Sequence, residues 1–211
     1  MHDVIIDKWT SFSPIAQEIT VIPDGCRDLI MREDVGVAPV WSVSPLFDQS
    51  QLITTHSGTK YLGFRMKAGV RIDEHGLLEL IRSEKTIDIN SFLGDFARYD
   101  TNVDEVLLCL ASDIKTVDDA ARQLGVKIRT LQRLLMSNTE RPPSYWLMLA
   151  RARKTAADIL RTNDNSDIAY KHGYSDQAHL CRDIKRWFNK TPSELKRSTN
   201  ISAQLNNNAY P

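Results

Sequence analysis

Residues 168–182 read IAYKHGYSDQAHLCR, and this stretch decides the fold of the C-terminal half. A small residue, Ala169, is followed four positions later by Gly173, which can adopt a left-handed turn conformation. A bulky apolar residue and a second amphipathic segment come after the glycine. This order of residues is typical of a helix-turn-helix unit.

The same design occurs earlier in the chain, in residues 120–133, which read AARQLGVKIRTLQR. The two copies are offset by 48 residues up to the turn, where Gly125 matches Gly173. Beyond the turn the offset becomes 49, since Leu131 matches Leu180. The sequence therefore predicts two helix-turn-helix units in tandem, the second with one extra residue at the start of its second helix.

Helix-boundary signals surround both units. Thr116 and Asp119 have the spacing of a capping box, as do the ends of residues 191–194. Ser175 is predicted to cap the second helix of the second copy. Two prolines before the intervening segment predict one long linker helix over about residues 144–161.

The second helix of each unit carries polar residues opposite its leucine stripe. A helix-turn-helix unit presents such side chains, from the first turns of this helix, to base edges in the major groove. Arg133 and Arg182 hold the same place in the two copies, which favours DNA contact over a merely solvated charge. Lys185 and Arg186 are expected to meet phosphates rather than bases.

Over about residues 114–197 the chain resembles the AraC/XylS family of bacterial transcription regulators, most specifically from Ile168 through Leu180 to the closing residues 191–194. The resemblance implies two units that read successive major-groove segments on one face of DNA. The residues expected to contact bases are Arg129, Gln132, Arg133, Gln177, Ala178, Cys181 and Arg182. The residues expected to contact phosphates are Lys127, Thr130, Ser175, His179, Lys185 and Arg186.

The chain departs from the family pattern at several positions. Lys127 stands where the family usually has a capping Ser. This change weakens the start of the first reading helix, which is the second helix of the first unit. His172 replaces an apolar turn residue, and Ala178 and Cys181 offer poor base readout. We therefore expect the second copy to position the protein on DNA more than it specifies the sequence.

The N-terminal half has a different periodicity. Alternating runs bounded by turn residues predict strands over residues 18–22, 27–31, 40–43, 51–56 and 60–67, and so a small antiparallel sheet or barrel. From Asp73 the apolar spacing changes to three-to-four, which predicts helices up to Leu110. Residues 23–30 and 63–69 resemble a small β-rich domain that precedes AraC-type modules in some regulators.

The predicted fold class is α+β, with a small β-rich domain followed by an all-α double helix-turn-helix domain. The predicted organisation is a sensor or dimerisation domain (1–72), a helical connector (73–110), the DNA-binding domain (111–197) and a disordered tail (198–211). Charge follows this division: residues 1–110 hold 10 basic and 17 acidic residues, and residues 111–211 hold 17 and 10. A basic half joined to an acidic half favours a polyanionic partner for the basic one.

The sequence gives little support to a metalloprotein, an enzyme or a membrane protein. Three widely spaced cysteines fit neither a disulfide framework nor a zinc site, and His56, His75 and Glu74 lack metal-ligand spacing, so we expect no metal and no cofactor. Asp24, Cys26 and Asp28 belong to a turn and a core, which argues against an enzyme. The longest apolar run is too short to span a membrane and the N-terminus lacks a signal peptide, which predicts a soluble, cytoplasmic protein.

The sequence thus predicts a transcription regulator that binds double-stranded DNA sequence-specifically. RNA polymerase, a small-molecule effector and a second copy of the chain are further candidate partners. The alternative is an anti-regulator or protein-interaction module built on a degenerate helix-turn-helix domain. A degenerate module would be expected to lose several of the polar reading residues, and this chain retains them.

Overall fold

The computed structural model describes residues 4–83, 89–162, 165–207 and 209–210. The strands are β1 (Ile5–Ser13), β2 (Gln17–Val21), β3 (Arg27–Glu33), β4 (Val40–Val43), β5 (Gln51–Thr55), β6 (Thr59–Met66), β7 (Arg71–Ile72) and β8 (Ala97–Arg98). The helices are α1 (Glu74–Ser83), α2 (Ile89–Phe96), α3 (Thr101–Leu110), α4 (Val117–Gln123), α5 (Ile128–Thr139), α6 (Pro143–Arg161), α7 (Asn165–Lys171), α8 (Gln177–Phe188), α9 (Pro192–Lys196) and α10 (Thr199–Leu205).

The N-terminal half is built on a four-stranded antiparallel sheet in the order β1-β6-β3-β4, with β2 and β5 paired separately. Alternate residues of β3 and β6 point to one face and pack against α1 and α2, where Leu29, Phe64, Met66, Leu77 and Leu93 are buried. The α+β fold class and the five predicted strands are confirmed. β1 was not predicted, because most of its side chains are half-buried or exposed and give no alternating pattern.

The helical half has a separate core centred on Trp146, Trp187 and Phe188, each at most 1 % exposed. Helix α3 contributes Val103 and Leu107 to this core rather than to the sheet. The predicted division of the chain into domains stays a prediction. Within the four predicted segments, residues 1–3, 84–88, 163–164, 208 and 211 lie outside the described residues.

The prediction of a disordered tail over residues 198–211 is wrong for the described part of that segment. Residues 199–205 form α10, whose Ile201 is fully buried, and Tyr210 is 4 % exposed. The Gln204 amide accepts a hydrogen bond from Ile22 N (3.0 Å) and donates one to Thr20 O (2.6 Å). The tail is ordered by these long-range contacts, which the polar local composition does not reveal.

Tyr210 also lies at the joint, which is the contact between the N-terminal half and the helical half. Its backbone N–H donates to Asp24 O (3.0 Å), its hydroxyl donates to Leu107 O (3.1 Å), and its ring packs edge-on against Trp146 (5.1 Å). Gly25, at φ +74, has Tyr210 and Trp146 so close that a Cβ would meet them at 2.7 and 2.9 Å. The predicted Pro-Asp-Gly turn is therefore a docking point as well as a turn.

Candidate nucleic-acid interface

The two predicted turns have the same geometry. In the first, Val126 N donates to Ala121 O (3.0 Å), and in the second, Tyr174 N donates to Ala169 O (2.9 Å). The glycines between them have φ of +66 and +70, and a Cβ there would meet nothing within 4 Å. The left-handed backbone, rather than lack of space, requires glycine at both turns.

The first reading helix is α5. Leu131 and Leu135 are its buried side, and the candidate base-contacting residues Arg129, Gln132 and Arg133 are all exposed. Lys127 is the N-cap residue and its side chain makes no capping hydrogen bond. The predicted weak start of this helix is therefore present in the structure.

The second reading helix is α8, which buries Leu180 and Ile184. Gln177, Ala178 and Arg182 are exposed, whereas Cys181 is half-buried and packs against the helical core. The structure therefore places three of the four candidate base-contacting residues of this copy on the open surface.

Ser175 does not cap α8, contrary to the sequence prediction. The cap is Asp176, whose carboxylate accepts a hydrogen bond from His179 N at 2.6 Å. Asp176 has the extended backbone that a cap requires, one residue later than predicted because of the extra residue in this copy. The Ser175 hydroxyl instead lies 3.2 Å from His179 Nδ1.

The candidate phosphate-contacting residues border the same two helices. Lys127, Thr130, Ser175, Lys185 and Arg186 are exposed. His179 is half-buried, with its ring edge-on to Tyr174 at 5.1 Å between centroids. Contact with phosphates stays a prediction for all six.

Both units pack on the linker helix α6, which runs from Pro143 to Arg161 and buries Trp146, Leu149 and Ile159. His172, the polar residue in the second turn, has its Nε2 2.8 Å from Asp158 Oδ2 of this helix. Burial alone would raise the pKa of Asp158, but hydrogen bonds from Lys171 and His172 hold it below its usual value. The departure at His172 is thus compensated by a charged partner.

Sequence reasoning missed one polar group beneath the interface. Asp183 lies on the buried side of α8, where Arg151 Nη2 and the Tyr174 hydroxyl each donate to its Oδ2 at 3.0 Å. An acidic residue inside the apolar stripe, between Leu180 and Trp187, is the signal that could have found it. Such a residue needs buried partners.

Within the ranges that the structure describes, no group of three or more His, Cys, Asp or Glu side chains is placed to hold a metal ion. No helix in those ranges combines the length and the apolar character needed to cross a membrane.

Comparison with known proteins points to one family. The model of a family described as "Helix-turn-helix domain" matches residues 120–198. The HTH-type transcriptional activator RhaS of Escherichia coli (strain SE11) is 36% identical over 81 residues, which are 37% of this chain and 29% of that protein. The match thus spans less than a third of this relative's length.

Two solved structures also match this chain at low sequence identity. An AraC-type transcriptional regulator from Chromobacterium violaceum is 23% identical, with a TM-score of 0.43 over 52% of this chain and 96% of that one. ToxT from Vibrio cholerae is 11% identical, with a TM-score of 0.48 over 91% of this chain and 99% of that one.

Proposed function

We propose that this chain belongs, through its C-terminal helices, to the AraC/XylS family of transcription regulators, and that it binds duplex DNA sequence-specifically and reads two successive major-groove segments. Helices α5 and α8 are the reading elements of the proposal, and α6 is the spacer between them. No catalytic activity is part of it.

One observation carries the proposal: the polar faces of both reading helices are open in the presence of the N-terminal half. Exposed side chains on these two helices, with both halves of the chain present, are Arg129, Gln132, Arg133, Gln177 and Arg182. The N-terminal half instead contacts α6 and the C-terminal end of α8, away from these side chains, with Tyr145 donating to Phe47 O and Ser50 N donating to Trp187 O. These contacts leave the candidate base-contacting side chains of both helices exposed.

The residue types suit base readout. An arginine can donate two hydrogen bonds to guanine O6 and N7, and a glutamine can pair with adenine N6 and N7. Arg133 and Arg182 occupy matching positions on the two helices, and Gln132 and Gln177 supply the amides. The exposed cations beside them, such as Lys185, are suited to phosphates, which orient the protein but carry no sequence information.

Selection of bound fragments from a random duplex pool tests the function. The proposal predicts enrichment of two short motifs with a fixed spacing of about one helical turn. A matched selection with the Arg133→Ala, Arg182→Ala double variant should lose the enrichment. Recovery of unenriched sequences by the wild-type chain would contradict the proposal and favour the protein-interaction alternative.

We also propose that a small-molecule effector binds between the two halves. A cleft of about 660 Å³ lies there, with β7 and β8 on one side and the end of α5, including Ser137 and Glu140, on the other. Arg71 and Arg98 line it and face each other across the strand pair, which places like charges together. Asp73, Glu74 and Asp95 also line the cleft, but no ion pair found among the described residues involves Arg71 or Arg98, and an anionic group between the two arginines would relieve their repulsion.

Citrate is a suitable probe of this cleft. If the two arginines hold an anion, citrate raises the melting temperature of the wild-type chain and has less effect on Arg98→Met. An equal rise in both proteins would contradict the site. RNA polymerase and a second copy of the chain remain further proposed partners, and sedimentation of the full chain tests the second.

A further inference from the structure

We propose that Arg151, Tyr174 and Asp183 form a polar anchor that sets the pose of the second reading helix, α8, on the linker helix α6. The inference rests on the DNA-reading function proposed above. It assigns a positioning role to three residues that do not lie on the reading face.

The anchor joins three parts of the helical half. Asp183 belongs to α8, and its side chain is 6% exposed. Its Oδ2 accepts a hydrogen bond from Arg151 Nη2 of α6 and another from the hydroxyl of Tyr174, both at 3.0 Å. Tyr174 lies in the turn between α7 and α8, so one carboxylate oxygen ties the linker, the turn and the reading helix together.

The Tyr174 ring makes the arrangement directional. The Arg151 guanidinium lies over the ring at 4.5 Å from its centroid, and Thr155 Oγ1 is 3.3 Å from the tyrosine oxygen. His179 of α8 meets the same ring edge-on. Charge-assisted hydrogen bonds and a cation over a ring favour one geometry, whereas apolar burial is non-directional. These contacts therefore restrict rotation of α8 on its support.

The first reading helix has a different support. By the repeat offsets, Val126 stands where the second copy has Tyr174, and Leu134 stands where it has Asp183. Val126 is 39% exposed and Leu134 is half-buried against the core. At these two positions the first copy offers apolar side chains only. The anchor thus belongs to one of the two units, and its effect on DNA reading should be confined to one of the two DNA segments.

The position of Asp183 explains how the anchor acts on bases. It follows Arg182 directly and lies on the opposite side of α8 from the reading face. A rotation of α8 would move Arg182 and Gln177 away from their base edges together. Removing only one partner would leave a buried charge, whereas replacing both with apolar residues of similar volume is often tolerated.

The test uses the double variant Arg151→Met, Asp183→Leu and the milder Tyr174→Phe, which keeps the ring and removes its hydroxyl. Affinity is measured for the selected duplex and for duplexes with the first or the second segment scrambled. We expect the double variant to lose about tenfold of its discrimination at the second segment, the value of one good base contact, and to keep the first. Tyr174→Phe should show a smaller loss at the second segment.

Lys171→Met is the matched control. It removes the ion pair from Lys171 Nζ to Asp158 Oδ2 (2.7 Å), which also joins the second unit to α6 but lies outside the anchor. Discrimination at both segments should be unchanged in this variant. Losses equal to those of the double variant would overturn the specific role of the anchor.

Amide hydrogen exchange without DNA gives an independent readout. The double variant should exchange faster in α8 and at the wild-type rate in α5. Unchanged exchange in α8, or a folded double variant with wild-type discrimination at the second segment, would overturn the anchor. A wild-type chain that discriminates between no duplexes would refute the proposed function instead, and the exchange result alone would then decide the anchor.

Discussion

Arg133 and Lys185 are both exposed cations on reading helices, yet we expect them to act differently on DNA. Arg133→Ala should cost about 1–3 kcal/mol of specific binding and relax discrimination at one or two base pairs, because a bidentate contact to guanine has that value. Affinities for the selected duplex and for single-base variants of it measure the effect. An equal loss on specific and random duplexes would identify Arg133 as a phosphate contact.

Lys185→Ala is the matched control for Arg133→Ala. It should weaken binding to all sequences alike and make the salt dependence of log affinity shallower by about one unit.

Residue patterns alone predicted which side chains of the reading helices are exposed, because the leucine stripe fixes the opposite face. They did not predict the Asp176 cap, since its position depends on where one extra residue is accommodated after the second turn. They did not identify the partners of Asp183 either, since Arg151 and Tyr174 lie on other segments of the chain.

Among the helices and strands, the two helix-turn-helix copies differ most at the start of their second helix. α5 begins at Ile128, and its N-cap residue, Lys127, makes no side-chain capping hydrogen bond. Lys127→Ser should raise the free energy of unfolding by about 1 kcal/mol, because a serine oxygen can accept from a free backbone N–H of the first turn. Urea unfolding measures the change. Lys127→Ala, which removes the same charge but adds no acceptor, should give no such gain, and equal effects of both would refute the cap.

Carboxylates at three other helix starts predict that the stability of the fold depends on pH. Hydrogen bonds lower the pKa of Asp176 (from His179 N), of Asp119 (from the Thr116 hydroxyl) and of Glu194 (from Thr191 N). A carboxyl with a lowered folded-state pKa stabilises the fold above its unfolded pKa, here 3.8 for Asp and 4.5 for Glu, and loses this effect as pH falls through the folded value.

The melting temperature should therefore drop as pH falls below about 4.5. Burial raises the pKa of Asp24, which acts in the opposite direction, so a single-site comparison is needed. Glu194→Gln should be less stable than the wild-type chain at pH 7, and the difference should shrink towards pH 3. A difference that is the same at both pH values would contradict the assignment to Glu194.

Most elements, though not all, were predictable from local pattern. The two capping boxes and both glycine turns carry their own chemistry in adjacent residues, and both are confirmed. β1 and α10 are different, because partners distant in sequence hold them: β1 pairs with β6, and Gln204 binds the end of β2. Periodicity cannot report stabilisation of that kind.

In the whole molecule, the joint around Tyr210 connects the two halves. Tyr210→Ala should lower the free energy of unfolding by roughly 3 kcal/mol, because it removes a buried aromatic ring from Trp146 and Gly25. Tyr210→Phe keeps the ring and loses only the hydrogen bond to Leu107 O, so about 1 kcal/mol is expected. Similar small losses in both variants would show that the tail does not hold the joint.

The distance between the two reading helices can be tested on DNA. If one chain reads two segments on one face of DNA, those segments lie about 34 Å, or one helical turn, apart. Inserting about five base pairs between them turns the second segment to the opposite face. The account predicts that affinity then falls to that of a duplex with one segment scrambled. Undiminished affinity for the inserted duplex would contradict it, because only one helix-turn-helix unit would then be reading DNA.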